Sequence, residues 1–456
     1  MPRMPEGHDD NAELNRTSRI YERESTAHLV GGRNFLIEEF DSYTAIGKVV
    51  GDLAMPFGLW GIALLLAGNP ILPDALSGLK IHGPYLVLTG GLLLSLAFRR
   101  GRAFFVLLSL AVAYFAFLFF LERESAGLIS RTVYASLCVF VPLNIAIFAL
   151  LRERGALNAP GLRRLSLPLI EVGVLAAIML SDATEFADGL YRLIFEHALL
   201  AGILIPQTGV VCTIAAVSVA VICAVLRGSV IDAAFATAAA SFALACNGLA
   251  SPDAFVSPGE FVWFCTVAAM IVSVAVVQDS HHMAFYDELT GLPGRRALNQ
   301  HLASLDGNFT LAMVDIDHFK AFNDTWGHDI GDQVLSLVAA RLKRVGGGGT
   351  AYRYGGEEFT ILFPGQRAFD VTQHVESLRR KIESYKLKLR ERGRTRNLKP
   401  IGLLSNASGA NKWISVTISA GIAERRQRLD MPEVVLAAAD KALYRAKSGG
   451  RHRVSR

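Results

Sequence analysis

Two short acidic stretches contain the residues best suited to chemistry. The sequence RYGGEEF, from Arg353 to Phe359, places two glycines directly before two glutamates. Adjacent carboxylates repel each other, and a glycine pair weakens any regular element that it interrupts. Earlier in the chain, the apolar run FTLAMVDID ends in Asp315 and Asp317. A bound cation would offset the repulsion in both stretches, so the pattern indicates metal-dependent chemistry.

Carboxylates at strand ends, beside a turn without side chains, suit phosphate chemistry with a divalent cation. Mg²⁺ prefers oxygen ligands in octahedral geometry and shares its coordination shell with substrate phosphates. Two such ions stabilise the attacking and the leaving oxygens of an in-line displacement. We therefore expect Mg²⁺, or Mn²⁺ in its place, where three or four of these carboxylates converge. The alternative is an acidic turn that pairs with the neighbouring Arg353.

The elements that would position these residues are predicted from periodicity. The continuous apolar run predicts a buried strand over 309–317, in which side chains two apart share a face. Gly355 and Gly356 predict a two-residue hairpin loop, because glycine tolerates the positive φ that such turns need. Further predicted elements are helices starting near 296 and over about 330–345, a strand over 413–424, and a helix over about 431–447. The last helix is expected to bury Val435, Ala438, Ala442, Leu443 and Ala446.

Composition divides the chain into an apolar part and a part of ordinary polarity. Of the 456 residues, 52% are hydrophobic and 19% are charged, against about 25% charged in soluble domains. Almost all long apolar runs precede residue 279. We predict a cytoplasmic tail at 1–46, a transmembrane sensor or anchor region at 47–278, and a catalytic domain at 279–456. No cleavable signal peptide is expected.

Eight apolar stretches approach the length that crosses a bilayer, although two are short, so six or seven spans remain alternatives. Arginines concentrate in alternate connections, which places both termini in the cytoplasm under the positive-inside rule. The expected location is a bacterial-type inner membrane, in contact with membrane lipid. The predicted spans are Val49–Ala67, Pro84–Phe98, Ala103–Leu121, Val133–Leu151, Ser166–Leu180, Leu199–Leu226, Val230–Cys246 and Phe261–Val277.

Few ionisable residues lie within the predicted spans, and Glu171 and Asp232 are the clearest. An intramembrane carboxylate is a candidate functional site. Because both lie near span ends, an interfacial or helix-facing carboxylate remains the alternative. The five cysteines all lie in apolar runs without paired spacing, which predicts buried thiols. The net charge of +5 comes largely from arginines between apolar runs, so no nucleic-acid polymer is expected as a partner.

Four motifs follow one another in the last 180 or so residues: DELTGLPGRR, DIDHFKAFNDTWGHDIGD, RYGGEEF and ADKALYRAKSGGRHRV. In order and approximate spacing they resemble the GGDEF family, over about residues 279–456. Active members of that family are diguanylate cyclases, which join two GTP molecules into cyclic di-GMP. The resemblance implies an α/β palm-like domain with an antiparallel-type central sheet, here placed after a polytopic α-helical membrane domain. It also implies a homodimer, since each domain binds one GTP.

Carried over position by position, the resemblance implies the catalytic groups. Asp315 and Glu358 would bind Mg²⁺, assisted by the carbonyl of Ile316. Glu357 would bind metal or help to activate the 3′-hydroxyl. Asp317 is more often structural in the family, so we do not assign it to the site. A catalytically silent nucleotide-sensing or scaffold domain is the alternative, but such domains usually lose a signature carboxylate.

The resemblance also implies the substrate contacts. Asn323 and Asp332 match the positions that bind guanine. A carboxylate accepts hydrogen bonds from the N1–H and N2 amine of guanine, which favours GTP over ATP. Gly355 and Gly356 would leave room for the ligand. The positions that match phosphate contacts are Lys320, Lys447 and Arg451, with the backbone around His318 and Phe319.

Three departures from the family pattern stand out. Gly346 and Gly349 occupy the positions of its RxxD product site, so we predict no product inhibition there. Gly294 and His452 replace two usual asparagines. The basic segment 384–413 is longer than the family needs, which predicts a solvated insertion or, alternatively, a contact with lipid headgroups or a partner.

Overall fold

The computed structural model contains two compact units, Met1–Ser280 and His281–Arg456. The structure describes residues 54–65, 77–121, 128–180, 189, 205–249, 258–388, 413–425 and 431–456. The predicted tail at 1–46 and most of the insertion at 384–413 lie outside the described residues.

The first unit is built of helices, with π-helical turns at Phe117–Leu121 that extend the third helix. Its described helices are α1 (Ala54–Leu65), α2 (Ser77–Ala97), α3 (Gly101–Ala116), α4 (Leu128–Leu150), α5 (Ala159–Leu180), α6 (Gln207–Arg227), α7 (Val230–Leu249) and α8 (Pro258–Phe285).

Five helices in the described part of this unit are long and apolar enough to cross a membrane. They are Gly101–Leu121, Ile129–Leu150, Gln207–Arg227, Val230–Asn247 and Gly259–Phe285. Two further apolar helices, Ala54–Leu65 and His82–Ala97, are shorter. The five helices indicate a membrane protein, and the count of about eight spans stays a prediction.

Close helix packing in this unit depends on small and aromatic side chains. Five alanines of α7 are fully buried, namely Ala233, Ala234, Ala238, Ala239 and Ala245. Small residues let helix backbones approach closely, which is how membrane helices gain packing energy. Around them, the rings of Phe117 and Phe261 stack with centroids 4.4 Å apart.

Two arginines at helix ends of this unit meet at one buried carboxylate. Asp232 is fully buried and lies 2.5 Å from Arg102 and 3.4 Å from Arg227. Both arginines also donate to the carbonyl of Ala149. These contacts tie the starts of α3 and α7 to the end of α4, because an ion buried in apolar surroundings needs opposite charge and hydrogen bonds. Asp232 is thus an ion-paired residue, and Glu171 accepts a hydrogen bond from another helix.

That second contact joins α4 to α5: the Nδ2 of Asn144 lies 2.8 Å from the Glu171 carboxylate. Asn144 is 2% exposed. An interhelical hydrogen bond of this kind is a usual way to satisfy a polar group at membrane depth. Both intramembrane carboxylates predicted from the sequence therefore have a partner on another helix.

The second unit is a central sheet covered by helices on both faces. Its elements are α9 (Arg295–Ala303), β1 (Phe309–Ile316), α10 (Phe319–Trp326), α11 (His328–Leu342), β2 (Thr350–Arg353), β3 (Glu358–Pro364), α12 (Ala368–Glu383), β4 (Leu387–Lys388), β5 (Trp413–Ile414), β6 (Ile418–Glu424), α13 (Pro432–Ser448) and β7 (Val454–Ser455).

The five-stranded sheet has the order β2-β3-β1-β6-β7, and β4 pairs with β5 separately. The pairs β2–β3, β3–β1 and β1–β6 are antiparallel. The last pair, β6–β7, is parallel. The prediction of an antiparallel-type sheet is therefore wrong, and the sheet is mixed. The reason is the helix α13 between the two strands, since a helical crossover returns the chain in its original direction.

The central strand β1 is buried along all eight residues, as its continuous apolar run predicts. On one face, Leu311 and Met313 belong to a core shared with α9 and α13. On the other face, Ala312 and Val314 belong to a core shared with α11 and α12. Packing on both faces therefore holds β1, the strand whose end carries Asp315, in place.

Several predicted boundaries shift in the structure. The helix predicted over 330–345 is α11, and the short α10 before it was not predicted. The strand predicted over 413–424 is divided into β5 and β6. In α13, Ala438 is exposed and Ala439 is buried. The prediction for Ala438 was wrong because the buried residues of α13 lie four, seven, eight and eleven positions after Val435.

Candidate active site

The site is built where the central strand ends. Asp315 of β1 lies directly opposite Glu358 of β3 and, on its other side, opposite Ser419 of β6. Residues opposite each other in an antiparallel pair have Cβ atoms about 4.5–5.5 Å apart. Strand register alone therefore brings the two predicted metal-binding carboxylates together. Asp315 is only 3% exposed.

One cation faces this carboxylate. The Nζ of Lys447, in the last turn of α13, lies 2.9 Å from Oδ2 of Asp315. Burial raises the pKa of Asp315 to about 6, although Lys447 opposes that rise. The negative charges of Glu357 and Glu358 contribute to this rise in pKa. Without a metal, the site thus holds more negative charge than its single lysine balances.

The turn before Glu358 is held by Arg353. Its guanidinium lies 2.6 Å from Asp287 and donates to the carbonyls of Gly355 and Gly356, the latter at 2.8 Å. Burial raises the pKa of Asp287, but hydrogen bonds from Thr290 and Arg353 outweigh burial and lower it. The alternative in which Arg353 neutralises the glutamate pair is not what the structure shows, because its partner is Asp287.

The two glycines serve a purpose different from the predicted one. Neither Gly355 nor Gly356 has a positive φ, and four residues rather than two connect β2 to β3. The predicted two-residue glycine loop is therefore wrong. A Cβ at Gly355 would lie 2.7 Å from Oε2 of Glu358, so the Glu358 carboxylate would have to shift to make room for it. Around Gly356, by contrast, a Cβ would meet nothing within 4 Å.

Asp317 does not join the other carboxylates. β1 ends at Ile316, one residue earlier, so the predicted shared face with Asp315 does not extend to it. Its oxygens accept hydrogen bonds from Thr417 at 2.8 Å, Ser419 at 2.7 Å and the backbone N–H of His452 at 3.1 Å. This agrees with the expectation that Asp317 has a structural role.

The predicted guanine contacts lie on α10 and α11. A Cβ on Gly331 would lie 1.9 Å from Oδ1 of Asn323, so only glycine leaves room for that amide. The same Oδ1 is buried and has no hydrogen-bond partner among the described residues. Asp332, beside Gly331, is exposed. A buried polar atom without a partner fits a position that is completed by a ligand.

The predicted phosphate contacts lie at or near the start of α10 and the end of α13. His318 adopts a left-handed conformation, with φ of 58°, just before α10. Phe319 is buried, whereas Lys320 is exposed. Arg451 is also exposed and has φ of 61°. Of the predicted cations, the structure pairs Lys447 with the carboxylate cluster.

The donor set fits Mg²⁺ only in part before substrate binds. Among the described residues, no group of three or more His, Cys, Asp or Glu side chains is arranged to hold a metal. Two carboxylates in register, Asp315 and Glu358, are nevertheless present with excess negative charge nearby. Mg²⁺ usually takes one or two carboxylates and completes its shell with water and substrate phosphates. The residues therefore fit a metal site whose coordination shell is completed by the phosphates of a nucleotide.

Comparison with known proteins identifies this unit. Residues 284–453 match the family described as diguanylate cyclase, GGDEF domain. Diguanylate cyclase VdcA of Vibrio cholerae is 39% identical over 175 residues, which cover 38% of this chain and 46% of that protein. Response regulator PleD of Caulobacter vibrioides is 34% identical over 183 residues, which cover 38% of this chain and 36% of that protein. The chain thus spans less than half the length of these relatives.

A solved structure is also similar. The coiled coil and GGDEF domain of DgcB from Caulobacter crescentus, in complex with c-di-GMP, is 34% identical. The match covers 39% of this chain and 88% of that one, with a TM-score of 0.34. From the family match and the curated diguanylate cyclase relatives, residues 284–453 form a GGDEF domain. The membrane part lies outside the matched range.

Sequence reasoning missed the residues that brace the site. Asp287 was noted only as part of the DELTGLPGRR motif, yet it anchors Arg353. Its contact with Thr290 within DELTG was available as a signal, because an aspartate three residues before a threonine commonly caps a turn. Thr417 and Ser419 had no such signal, since their partner Asp317 is 100 or more residues away.

The two glycines provide a matched pair of variants. Gly355→Ala should displace the Glu358 carboxylate and weaken Mn²⁺ binding by roughly 10-fold or more. Gly356→Ala should leave Mn²⁺ binding within about twofold, because its Cβ enters open space. Titration of the full-length protein with Mn²⁺, followed by electron paramagnetic resonance, measures both. Equal losses in the two variants would show that Gly355 is not needed to place Glu358.

The raised pKa of Asp315 predicts a pH effect on the metal-free protein. Between the unfolded pKa of about 3.9 and the folded pKa of about 6, the folded state keeps a proton that the unfolded state has lost. Stability from this group is therefore complete below the window and falls as pH rises through it. Relative to Asp315→Asn, the wild-type melting temperature should fall from about pH 4.5 to about pH 6.5 and then level off. A constant difference in melting temperature between the wild type and Asp315→Asn across this pH range would contradict the raised pKa of Asp315.

Proposed function

We propose that the protein is a membrane-bound diguanylate cyclase, which condenses two GTP molecules into cyclic di-GMP and two pyrophosphates. The observation that carries the proposal is the register of Asp315 with Glu358, with Lys447 beside them, inside a GGDEF domain. The curated relative VdcA, which is named a diguanylate cyclase, supports it. A silent sensing domain is not favoured, because both glutamates of GGEEF and Asp315 are present.

Each catalytic group has a role that follows from its position. Asp315 and Glu358, with the Ile316 carbonyl, would hold Mg²⁺, which supplies charge stabilisation for phosphoryl transfer when bound. Glu357, next to this pair, would bind metal or accept the proton of the 3′-hydroxyl. Lys447 would turn from Asp315 to a phosphate oxygen once metal neutralises the carboxylates, because an ammonium is a point charge on a flexible stem.

The reaction requires two domains. In each half-reaction, the 3′-oxygen of one GTP forms a bond to the α-phosphorus of the other. The bond between the α-phosphorus and the bridging oxygen breaks, and pyrophosphate leaves. One domain binds one GTP, so two domains must face each other in a homodimer. The protein contributes mainly positioning and charge stabilisation to such a transfer.

Guanine would be selected at α10 and α11. The partnerless Oδ1 of Asn323 is available to accept a hydrogen bond from the base, and Asp332 carries a second, exposed acceptor. Guanine offers N1–H and an N2 amine to such acceptors, whereas adenine presents a bare acceptor at N1. A site that leaves buried acceptors unpaired with the wrong base discriminates strongly. We therefore infer a preference for GTP.

The membrane unit would anchor the enzyme and control the pairing of domains. Arg227 and Arg102 lie in the arginine-bearing connections that the positive-inside rule assigns to the cytoplasm. On that orientation the GGDEF domain also lies in the cytoplasm, where GTP is present. The helix α8 runs without a break from Pro258 to Phe285, so a shift of this helix would move the start of the catalytic domain.

Product formation tests the proposal. The full-length protein in lipid, given GTP and Mg²⁺, should produce cyclic di-GMP, and ATP in place of GTP should give no cyclic dinucleotide. Glu358→Ala should reduce the rate at least about 100-fold, as loss of a catalytic group does. Glu433→Ala, in the first turn of α13, is the matched control. Chromatography of the nucleotides measures product formation by the wild type and by both variants.

An inactive catalytic domain can be distinguished from one that only fails to dimerise. If the wild type is silent, the domains should be joined through a fused dimeric coiled coil and assayed again. No cyclic di-GMP from the forced dimer, with GTP still bound, would overturn the enzyme assignment in favour of a sensing domain.

A further inference from the structure

Asp317 is buried at the end of β1, with 8% of its surface exposed. Its carboxylate accepts side-chain hydrogen bonds from Ser419 of β6 and from Thr417, which directly precedes that strand. A third donor is the backbone N–H of His452, which also lies 3.1 Å from Oγ of Ser419. Hydrogen bonds to a charged, buried acceptor are stronger than neutral ones. The carboxylate of Asp317 thus contacts the C-terminal segment at the residue after Arg451.

The backbone at this point adopts an uncommon conformation. Arg451 and His452 have φ of 61° and 51°, and two successive non-glycine residues in the left-handed region are rare. Such strained residues persist where the surroundings hold them. Arg451 is held by the bond from its N–H to the carbonyl of Ala446, and His452 by its bond to Asp317.

The bond to Asp317 is not needed merely to hold the chain end. β7 is already joined to β6 by the pairing of Ala420 with Val454, and the N–H of Ala420 donates to the carbonyl of Arg453 at 3.0 Å. Since that pairing anchors the segment after the turn, the carboxylate of Asp317 acts on the turn itself. Its effect is to fix the direction in which the backbone carries Arg451.

We propose that Asp317 is a positioning residue that directs Arg451 towards the phosphates of GTP. This inference rests on the proposed function. The two aspartates of DID then divide the work: Asp315 faces Lys447, and Asp317 fixes the turn that carries Arg451. Two aspartates near the end of β1 therefore position both cations, Lys447 and Arg451, which are four residues apart in the sequence. Asp317 contacts no substrate; it acts through the arginine.

A double-mutant cycle tests this role. The full-length protein in lipid is prepared as wild type, Asp317→Asn, Arg451→Ala and the double variant. Binding of a GTP analogue that cannot release pyrophosphate is measured by calorimetry with Mg²⁺, and cyclic di-GMP formation is measured in parallel with GTP. Each single change should weaken analogue binding by about 10-fold. The double variant should bind within about twofold of Arg451→Ala, because Asp317 acts only through that arginine.

Additive losses, about 100-fold in the double variant, would overturn the inference, since Asp317 would then act independently of Arg451. Ser419→Ala gives a second cycle if Asp317→Asn unfolds, because Ser419 contacts both Asp317 and the N–H of His452. Its loss should also be non-additive with Arg451→Ala. Additivity in that cycle would equally overturn the inference.

Structural damage alone is recognised by a control. Thr417→Val removes one donor to Asp317 but leaves its bond to His452. It should lower the melting temperature without weakening analogue binding, and a loss of binding as large as that of Asp317→Asn would count against positioning. A wild type that binds the analogue and makes cyclic di-GMP while the cycle is additive refutes only this inference. A wild type that does neither, even as a forced dimer, refutes the proposed function as well.

Discussion

The pairing of β1 with β3 is the constraint on which the catalytic unit depends. In its register Asp315 faces Glu358, so two carboxylates share the end of a buried strand. Like charges in a region of low dielectric repel strongly, and burial also disfavours ionisation of Asp315. The fold tolerates this arrangement because β1 is packed on both faces and because Lys447 supplies one opposite charge. The remaining repulsion is what a divalent cation would relieve.

Two further carboxylates keep this arrangement in place without joining it. Asp287 holds Arg353, which in turn fixes the carbonyls of the glycine turn before Glu358. Asp317 holds the C-terminal turn next to Arg451. Asp287 and Asp317 thus stabilise the surroundings of the strand pair, and both carboxylates accept hydrogen bonds from protein groups. In the membrane unit, Asp232 similarly joins three helices by pairing with arginine, although it lies far from any proposed chemistry in sequence.

Local pattern predicted much of this architecture. The buried strand, predicted over 309–317 and found over Phe309–Ile316, the helix α11 and the convergence of Asp315 with Glu358 followed from apolar runs and from motif spacing. Where prediction failed, distant contacts decided the outcome. The parallel pairing of β7 depends on the crossover by α13, and the limited space at Gly355 depends on where the Glu358 side chain lies. The role of Asp317 depends on Thr417 and Ser419, about 100 residues away, which no local pattern reports.

The claim that Asp315 and Glu358 form a metal site completed by GTP can be tested directly. With Mn²⁺ in place of Mg²⁺, pulsed electron paramagnetic resonance detects coupling between the bound metal and the phosphorus nuclei of a GTP analogue. In the full-length protein, this coupling should be present in the wild type and absent from Asp315→Asn. Coupling that persists unchanged in Asp315→Asn would place the metal and the phosphates elsewhere and would contradict the account.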